Sequence, residues 1–128
     1  MGLFRTELDI IRETGGVKLE FSLENISDGD LKFYFSSGQK FDIFVKDEKG
    51  EEVYRWSHDK GFITVIIDTK LKKSEKLEFS EFWGYNDNDG NSVSDGKYSV
   101  AVKFLAKLEK GGKISPDELT AVGDIEVE

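Results

Sequence analysis

One short stretch of this sequence contains the residue types of a hydrolytic enzyme. Ser57, His58 and Asp59 match a catalytic triad in composition, but they are consecutive, and neighbouring side chains on a strand point to opposite faces. No nucleophile elbow occurs elsewhere in the sequence. We therefore expect no catalytic residues and no enzymatic activity, and we interpret His58 as a surface residue beside a turn.

A second stretch, Asp87-Asn88-Asp89-Gly90-Asn91, has the composition of a calcium-binding loop. With Gly90 at the sixth position of such a loop, Tyr85 would be first and Gly96 twelfth, and neither can supply the carboxylate required there. A plain Asn/Asp/Gly turn is the simpler interpretation. The chain also has no cysteine, which excludes disulfides and thiolate metal sites. We expect no metal and no other cofactor.

Aromatic side chains could form a platform for carbohydrate or peptide, and the candidates are Phe35, Phe41, Trp56 and Trp83. Aromatic residues supply much of the buried area in β-sandwiches, so core positions are favoured for these four. Trp83 is the expected exception, because it borders the long polar loop 84–96. A cross-strand pair between Asp42 and Arg55 is also expected, as a structural contact.

The elements that must position these residues are strands. Apolar and polar residues alternate with period two, and no helical period is present. Strands are predicted at 4–10, 17–23, 31–35, 41–46, 53–56, 77–83, 98–108 and 119–127. The β-branched run Phe62–Ile67 lacks alternation, so it is expected to be buried on both sides or to lie in the middle of the sandwich. Ser115-Pro116-Asp117-Glu118 predicts a single helical turn. The fold class is all-β, an antiparallel immunoglobulin-like β-sandwich of about eight or nine strands.

Length and charge narrow the function further. The 128 residues suit one domain, 1–128, without repeats or linkers. A net charge of −8 argues against nucleic acid as a partner. The N-terminus has no apolar signal core, and no run reaches the ~18 apolar residues that a membrane helix needs. These features favour a soluble cytoplasmic protein without a membrane partner, and they leave the oligomeric state open.

The loops sort into two ends of the sandwich if every connection reverses the chain. One end would hold residues 13–16, 36–40, 57–61 and 84–96, and the other would hold 26–30, 47–51, 68–75 and 110–117. The first end contains the longest loop and the only histidine of the sequence. Because binding residues concentrate on loops that a rigid scaffold holds, this end is the predicted binding surface.

The segment 35–57 resembles a known family. Its two characteristic parts are Phe35-Ser36-Ser37-Gly38-Gln39-Lys40-Phe41-Asp42 and Gly50-Glu51-Glu52-Val53-Tyr54-Arg55-Trp56-Ser57. They are similar to the BsuPI family of intracellular proteinase inhibitors, and so are Asn25-Ile26-Ser27, Phe62 and Trp83. The resemblance extends over Val17 to Val102, with a longer 84–96 loop than is expected for the family. It implies a β-sandwich that inhibits an intracellular subtilisin-type serine protease.

An inhibitor of this kind would insert an extended loop into the protease cleft as a substrate does. A rigid scaffold would limit the entropy lost on binding and would resist cleavage. Tyr85, or Phe62 beyond the 57–61 bend, could supply an apolar anchor for the S1 pocket. The candidate protease-binding residues are Gly38, Gln39, His58, Phe62, Trp83, Tyr85 and Asn86. The alternative is a non-inhibitory β-sandwich module that binds another protein through a sheet edge or through the same loops.

Overall fold

The strands of the protein account for most of its described residues. The structure, a computed structural model, describes residues 2–109 and 113–128. Its strands are β1 (Phe4–Glu13), β2 (Gly16–Asn25), β3 (Leu31–Phe35), β4 (Phe41–Lys46), β5 (Glu52–Arg55), β6 (Ile67–Leu71), β7 (Lys76–Trp83), β8 (Gly96–Phe104), β9 (Lys107–Leu108) and β10 (Thr120–Val127). A 3-10 turn covers Trp56–Asp59, and a helical turn, α1, covers Pro116–Leu119.

The strands form two layers around an aromatic core. One layer is the antiparallel sheet β1-β2-β7, and the other combines the sheets β10-β8-β4-β5 and β6-β3-β9. Alternation along β2 turns Val17, Leu19, Phe21 and Leu23 inward, where each is almost fully buried. The ring of Phe21 lies 4.8 Å from that of Phe41, and Phe4 meets Phe33 at 5.1 Å. The predicted antiparallel, immunoglobulin-like β-sandwich is confirmed.

Residues 36–40 do not reverse the chain. The strands before and after them, β3 and β4, therefore lie end to end along one side of the second layer. Phe41 pairs with Phe104, the Leu105 N–H donates to the Lys40 carbonyl at 2.9 Å, and Tyr34 pairs with Lys107. Residues 35–39 therefore stand opposite Ala106 alone, as in a large β-bulge. Because β8 continues into β9, β3 and β4 run in the same direction.

Strands β5 and β6, at the edge of the second layer, are also arranged end to end. β5 pairs antiparallel with β4, and β6 pairs antiparallel with β3. Since β3 and β4 share a direction, β5 and β6 share one as well. The connection 56–66 therefore leaves the edge of the layer and rejoins it further along, without reversing the chain.

The predicted sorting of loops is partly confirmed. The turn 13–16 and the start of 84–96 share one end, because Val17 pairs with Trp83. At the opposite end, the Asn25 side-chain amide donates to the carbonyls of Gly29 and Leu71, at 2.8 and 3.0 Å. This contact joins the turns 26–30 and 68–75, as expected.

The same prediction is wrong for three connections. Residues 36–40 and 57–61 lie partway along the sandwich, because neither connection reverses the chain. The turn 47–51 lies at the first end instead of the second, where the Glu48 carboxylate accepts a hydrogen bond from the Lys97 N–H at 3.1 Å. Of the predicted connection 110–117, residues 110–112 lie outside the described residues.

Two expectations about burial are also wrong. Ile63 is 71% exposed and Ile66 is 66% exposed, so Phe62–Ile67 is not a buried strand, and only Ile67 joins the ladder. Trp83 is 1% exposed, because strand alternation turns it into the core and turns Phe82 outward. Core positions are confirmed for Phe35 and Phe41, whereas Trp56, the fourth aromatic candidate, is only half-buried.

Glu118 fastens α1 to the first strand. One carboxylate oxygen accepts hydrogen bonds from the N–H groups of Leu3 and Phe4, and the other accepts from the Ser115 N–H at 3.0 Å. Partial burial acts to raise the pKa of Glu118, but these N–H donors outweigh it, and the pKa is lowered. The predicted helical turn is confirmed, and its role as a clamp on β1 is an additional finding.

Replacing Glu118 by Gln should lower the free energy of unfolding by about 1 kcal/mol at pH 7, because a neutral amide is the weaker acceptor. A lowered pKa in the folded state stabilises the protein above the unfolded pKa of ~4.3, and this stabilisation is lost as the pH falls through the folded value. Urea unfolding should therefore show that the difference between the two proteins shrinks below about pH 4. The exposed Glu126→Gln is the control. A difference that is equally large at pH 3 would contradict the role of the charge.

Candidate functional site

Two adjacent connections form a projection from the side of the second layer. We call this projection, residues 36–40 and 56–66, the lateral arm. Its two parts touch, because the Gly38 N–H donates to the Ile63 carbonyl at 2.9 Å. A Cβ atom at Gly38 would lie 3.2 Å from the Ile63 Cγ1 atom, so the contact is tight. The arm is therefore one packed unit.

A buried carboxylate holds the base of the lateral arm. Asp42 is 4% exposed, and it accepts from the N–H of Ile43 (2.9 Å), the N–H and hydroxyl of Ser57 (3.1 and 2.6 Å) and Nε of Arg55 (3.1 Å). A buried carboxylate is tolerated only when such donors replace water. The Arg55 guanidinium also lies over the Phe44 ring at 4.6 Å. The predicted Asp42–Arg55 pair is confirmed, and the two Ser57 bonds fix the point where the chain leaves the sheet.

Trp56 extends the core into the arm. Its ring lies 4.5 Å from the buried Phe41 ring on one side and 5.9 Å from Phe62 on the other. The Lys60 ammonium group lies 4.7 Å from the centre of the Trp56 ring, a cation–π contact. These contacts hold residues 56–62 of the arm against the sandwich.

The part of the arm beyond this packing is apolar and open to solvent. Residues 60–66 have no regular secondary structure, and Ile63, Val65 and Ile66 are 71%, 42% and 66% exposed. We call residues 62–66 the apolar limb. Three large aliphatic side chains so close together on the surface of a protein with 34% charged residues point to a binding surface.

The three consecutive residues that resemble a triad do not form one. The Ser57 hydroxyl donates to Asp42, and the His58 Nδ1 atom donates to the Arg55 carbonyl at 2.8 Å. Both side chains therefore serve the 3-10 turn at the base of the arm. Their geometry gives no path for a proton from Ser57 to His58.

Tyr54 lies beneath the 3-10 turn, with its ring 5.9 Å from His58 and 6.1 Å from Trp83. Burial raises the pKa of Tyr54, and negative charges raise it further, those of Asp59, Glu81 and Asp42. The phenol is therefore neutral at physiological pH, and His58 of the turn packs against an uncharged ring.

The predicted binding residues divide between two places. Gly38, Gln39, His58 and Phe62 lie in the lateral arm, whereas Tyr85 and Asn86 lie in the 84–96 loop at one end of the sandwich. Trp83 lies in the core and donates from Nε1 to the Asn86 carbonyl at 2.9 Å, so its side chain offers no contact surface. Sequence reasoning assigned no binding role to Ile63, Val65 and Ile66. The signal in the sequence is an apolar run without alternation, a pattern that also predicts a buried strand.

The acidic part of the 84–96 loop is a turn that docks on β5. One Asp87 carboxylate oxygen accepts from the N–H groups of Asp89 and Asn91, both at 2.9 Å, and the Asn88 side chain accepts from the Arg55 N–H at 2.8 Å. The Asp87 carboxylate is thus used to close the turn. Within residues 2–109 and 113–128, no group of three or more His, Asp or Glu side chains is arranged to hold a metal ion.

An exposed apolar segment on a hydrogen-bonded base is a feature expected of a protein-binding domain. The chain belongs to the BsuPI family, described as intracellular proteinase inhibitors, and the family model matches residues 4–109. The resemblance found in the sequence is thereby confirmed. A search of curated proteins gave no match. Across the part of the chain that the structure describes, no helix combines the length and apolar character needed to cross a membrane.

Solved structures share the fold at low sequence identity. The CARDB domain of the PF1109 protein from Pyrococcus furiosus, solved in complex with di-metal ions, is 12% identical with a TM-score of 0.54, over 98% of this chain and 87% of that chain. A penta-heme cytochrome c552 from Thermochromatium tepidum is 10% identical with a TM-score of 0.50, over 98% of this chain and 40% of that chain. At these identities the likeness extends to the fold alone.

Replacing Asp42 by Ala should lower the free energy of unfolding by about 2 kcal/mol, because the Ser57 and Ile43 donors lose their acceptor. The Arg55 side chain is 48% exposed and can recover water, which limits the loss. Amide hydrogen exchange should accelerate in residues 56–66.

The matched control for this variant is Asp47→Ala. Asp47 also accepts from two backbone N–H groups, those of Lys49 and Glu51, but in an exposed turn. Its loss should cost about 1 kcal/mol or less. Equal effects of the two variants, or unchanged exchange in the arm, would show that Asp42 does not anchor it.

Proposed function

We propose that this protein inhibits a subtilisin-type serine protease, and that the lateral arm is the surface that occupies the protease cleft. Membership of the family supports inhibition of a proteinase. The observation that carries the choice of surface is the exposed apolar limb on its fixed base. In this proposal residues 1–128 act as one domain in the cytoplasm, together with the protease.

A protease cleft places two requirements on any segment that competes with a substrate. A cleft binds an extended backbone and takes its side chains into pockets, so a competing segment must be extended and must have exposed side chains. Complete burial of one aliphatic side chain contributes roughly 1.5–3 kcal/mol. The exposed faces of Ile63, Val65 and Ile66 could therefore supply a large share of the binding free energy.

Rigidity supports the same proposal. A free loop would lose conformational entropy on entering a cleft, and this loss would subtract from its affinity. In the lateral arm, the Asp42 hydrogen bonds, the Trp56 packing and the Gly38–Ile63 bond already restrict the chain. A restricted segment also resists hydrolysis, because it cannot relax after attack.

The test is a titration of a subtilisin-type protease with the purified protein, measured with a peptide substrate and followed by intact mass. We expect tight inhibition with the protein uncleaved at early times, and weak inhibition by the triple variant Ile63→Ser/Val65→Ser/Ile66→Ser. These side chains are exposed, so the variant should remain folded. A folded wild-type protein that survives without inhibiting would reject the proposal and would favour a non-inhibitory interaction module.

Gly38→Ala tests the contact inside the arm. The new Cβ atom would lie 3.2 Å from the Ile63 side chain, so Ile63 must move by a few tenths of an ångström. We expect inhibition to weaken by about three- to tenfold, or up to ~1.4 kcal/mol, with little change in melting temperature. Gly29→Ala, whose Cβ would meet nothing within 4 Å, is the control. Equal inhibition by the wild-type protein, Gly38→Ala and Gly29→Ala would show that the contact between Gly38 and Ile63 does not contribute to inhibition.

A further inference from the structure

We infer that Ile66 enters the primary specificity pocket of the protease and that Ile63 fills a second apolar pocket on the N-terminal side. This inference rests on the proposed function and assigns roles within its apolar limb. It follows from three observations: the exposure of the two side chains, the bonding of the Ile63 carbonyl, and the position of Ile66 beside β6.

Exposure selects these two residues from the apolar limb. Ile63 and Ile66 are 71% and 66% exposed, whereas Val65 is 42% exposed. Phe62, the anchor suggested by the sequence, is only partly exposed because its ring packs against Trp56 at 5.9 Å. Ile63 and Ile66 therefore have the most side-chain surface to give to pockets.

Backbone bonding sets the order of the two pockets. In a serine protease, the carbonyl oxygen of the residue in the primary pocket points into an oxyanion hole made of N–H donors. The Ile63 carbonyl already accepts the Gly38 N–H at 2.9 Å, and the Gly38 backbone stands beside that oxygen. Ile63 cannot present its carbonyl to the enzyme without opening the arm, so the primary position falls to Ile66.

The position of Ile66 also explains how the segment would resist cleavage. Ile67 begins β6 and pairs with Phe35, and the ladder continues to the pair Leu71–Leu31. If the protease serine attacked the Ile66 carbonyl, the released amine of Ile67 would stay in this ladder. It could attack the acyl-enzyme, reform the peptide bond and release the serine, before water competes.

A specificity switch tests the assignment. Ile66→Lys should weaken inhibition of a subtilisin-type protease at least ~100-fold, because a charge is poorly accepted by an apolar pocket, and should create inhibition of trypsin, whose primary pocket contains a carboxylate. Ile63→Lys should weaken subtilisin-type inhibition about tenfold without creating trypsin inhibition. Val122→Lys, at a site on β10 that is 66% exposed, is the matched control and should change neither.

The outcomes separate this inference from the proposed function. If the wild-type protein fails to inhibit, the proposed function fails. If the wild-type protein inhibits but Ile66→Lys behaves like Val122→Lys, only the assignment fails. Trypsin inhibition gained by Ile63→Lys instead of Ile66→Lys would reverse the order of the pockets. Prolonged incubation with protease, followed by mass spectrometry, should reveal cleavage between Ile66 and Ile67, and a first cut at another bond would overturn the assignment.

Discussion

The buried carboxylate of Asp42 is the constraint on which the lateral arm depends. It lies in β4 between Phe41 and Ile43, which are both buried, so its oxygens need protein donors in place of water. Arg55 supplies one donor from the neighbouring strand, and Ser57 supplies two. Ser57 reaches Asp42 only if the chain turns at the end of β5. The hydrogen bonds that Asp42 requires thus fix the place where the lateral arm begins.

The lateral arm exposes aliphatic side chains, and this exposure contributes nothing to the stability of the fold. What keeps the segment from collapsing is the set of contacts at its base: Trp56 between Phe41 and Phe62, and the backbone bond from Gly38 to Ile63. The bulge and the longer connection therefore depend on each other, because each supplies half of the contact. The proposed function therefore separates stability from binding. The base residues serve the fold, and in the proposal the exposed isoleucines contact the protease.

The alternating pattern predicted the strands well, and it failed where the chain leaves a sheet without reversing. A bulge and a hairpin turn have the same sequence appearance, since each is a short polar segment between two alternating runs. The pattern at residues 36–40 therefore predicts a reversal that the structure does not have. The run Phe62–Ile67 lacks alternation, which predicts a strand buried on both sides, but an apolar connection exposed at a sheet edge has the same pattern. The family resemblance was the stronger guide, since segment 35–57 contains Gly38, Asp42 and Ser57, the residues that form the base.

The location of the arm suits the proposed occupation of a protease cleft better than a loop at the end of the sandwich does. An end loop such as 84–96 joins antiparallel strands and must fold back on itself, as its Asp87-capped turn does. The connection 56–66 joins β5 and β6, which run in the same direction along one layer, so its two ends are held apart. The ladders of β5 and β6 would therefore retain both fragments if one bond of the connection were cut. In the proposed complex, the protease would therefore bind a segment whose two ends stay in one sheet after cleavage, a condition that favours resynthesis of the bond over release of fragments.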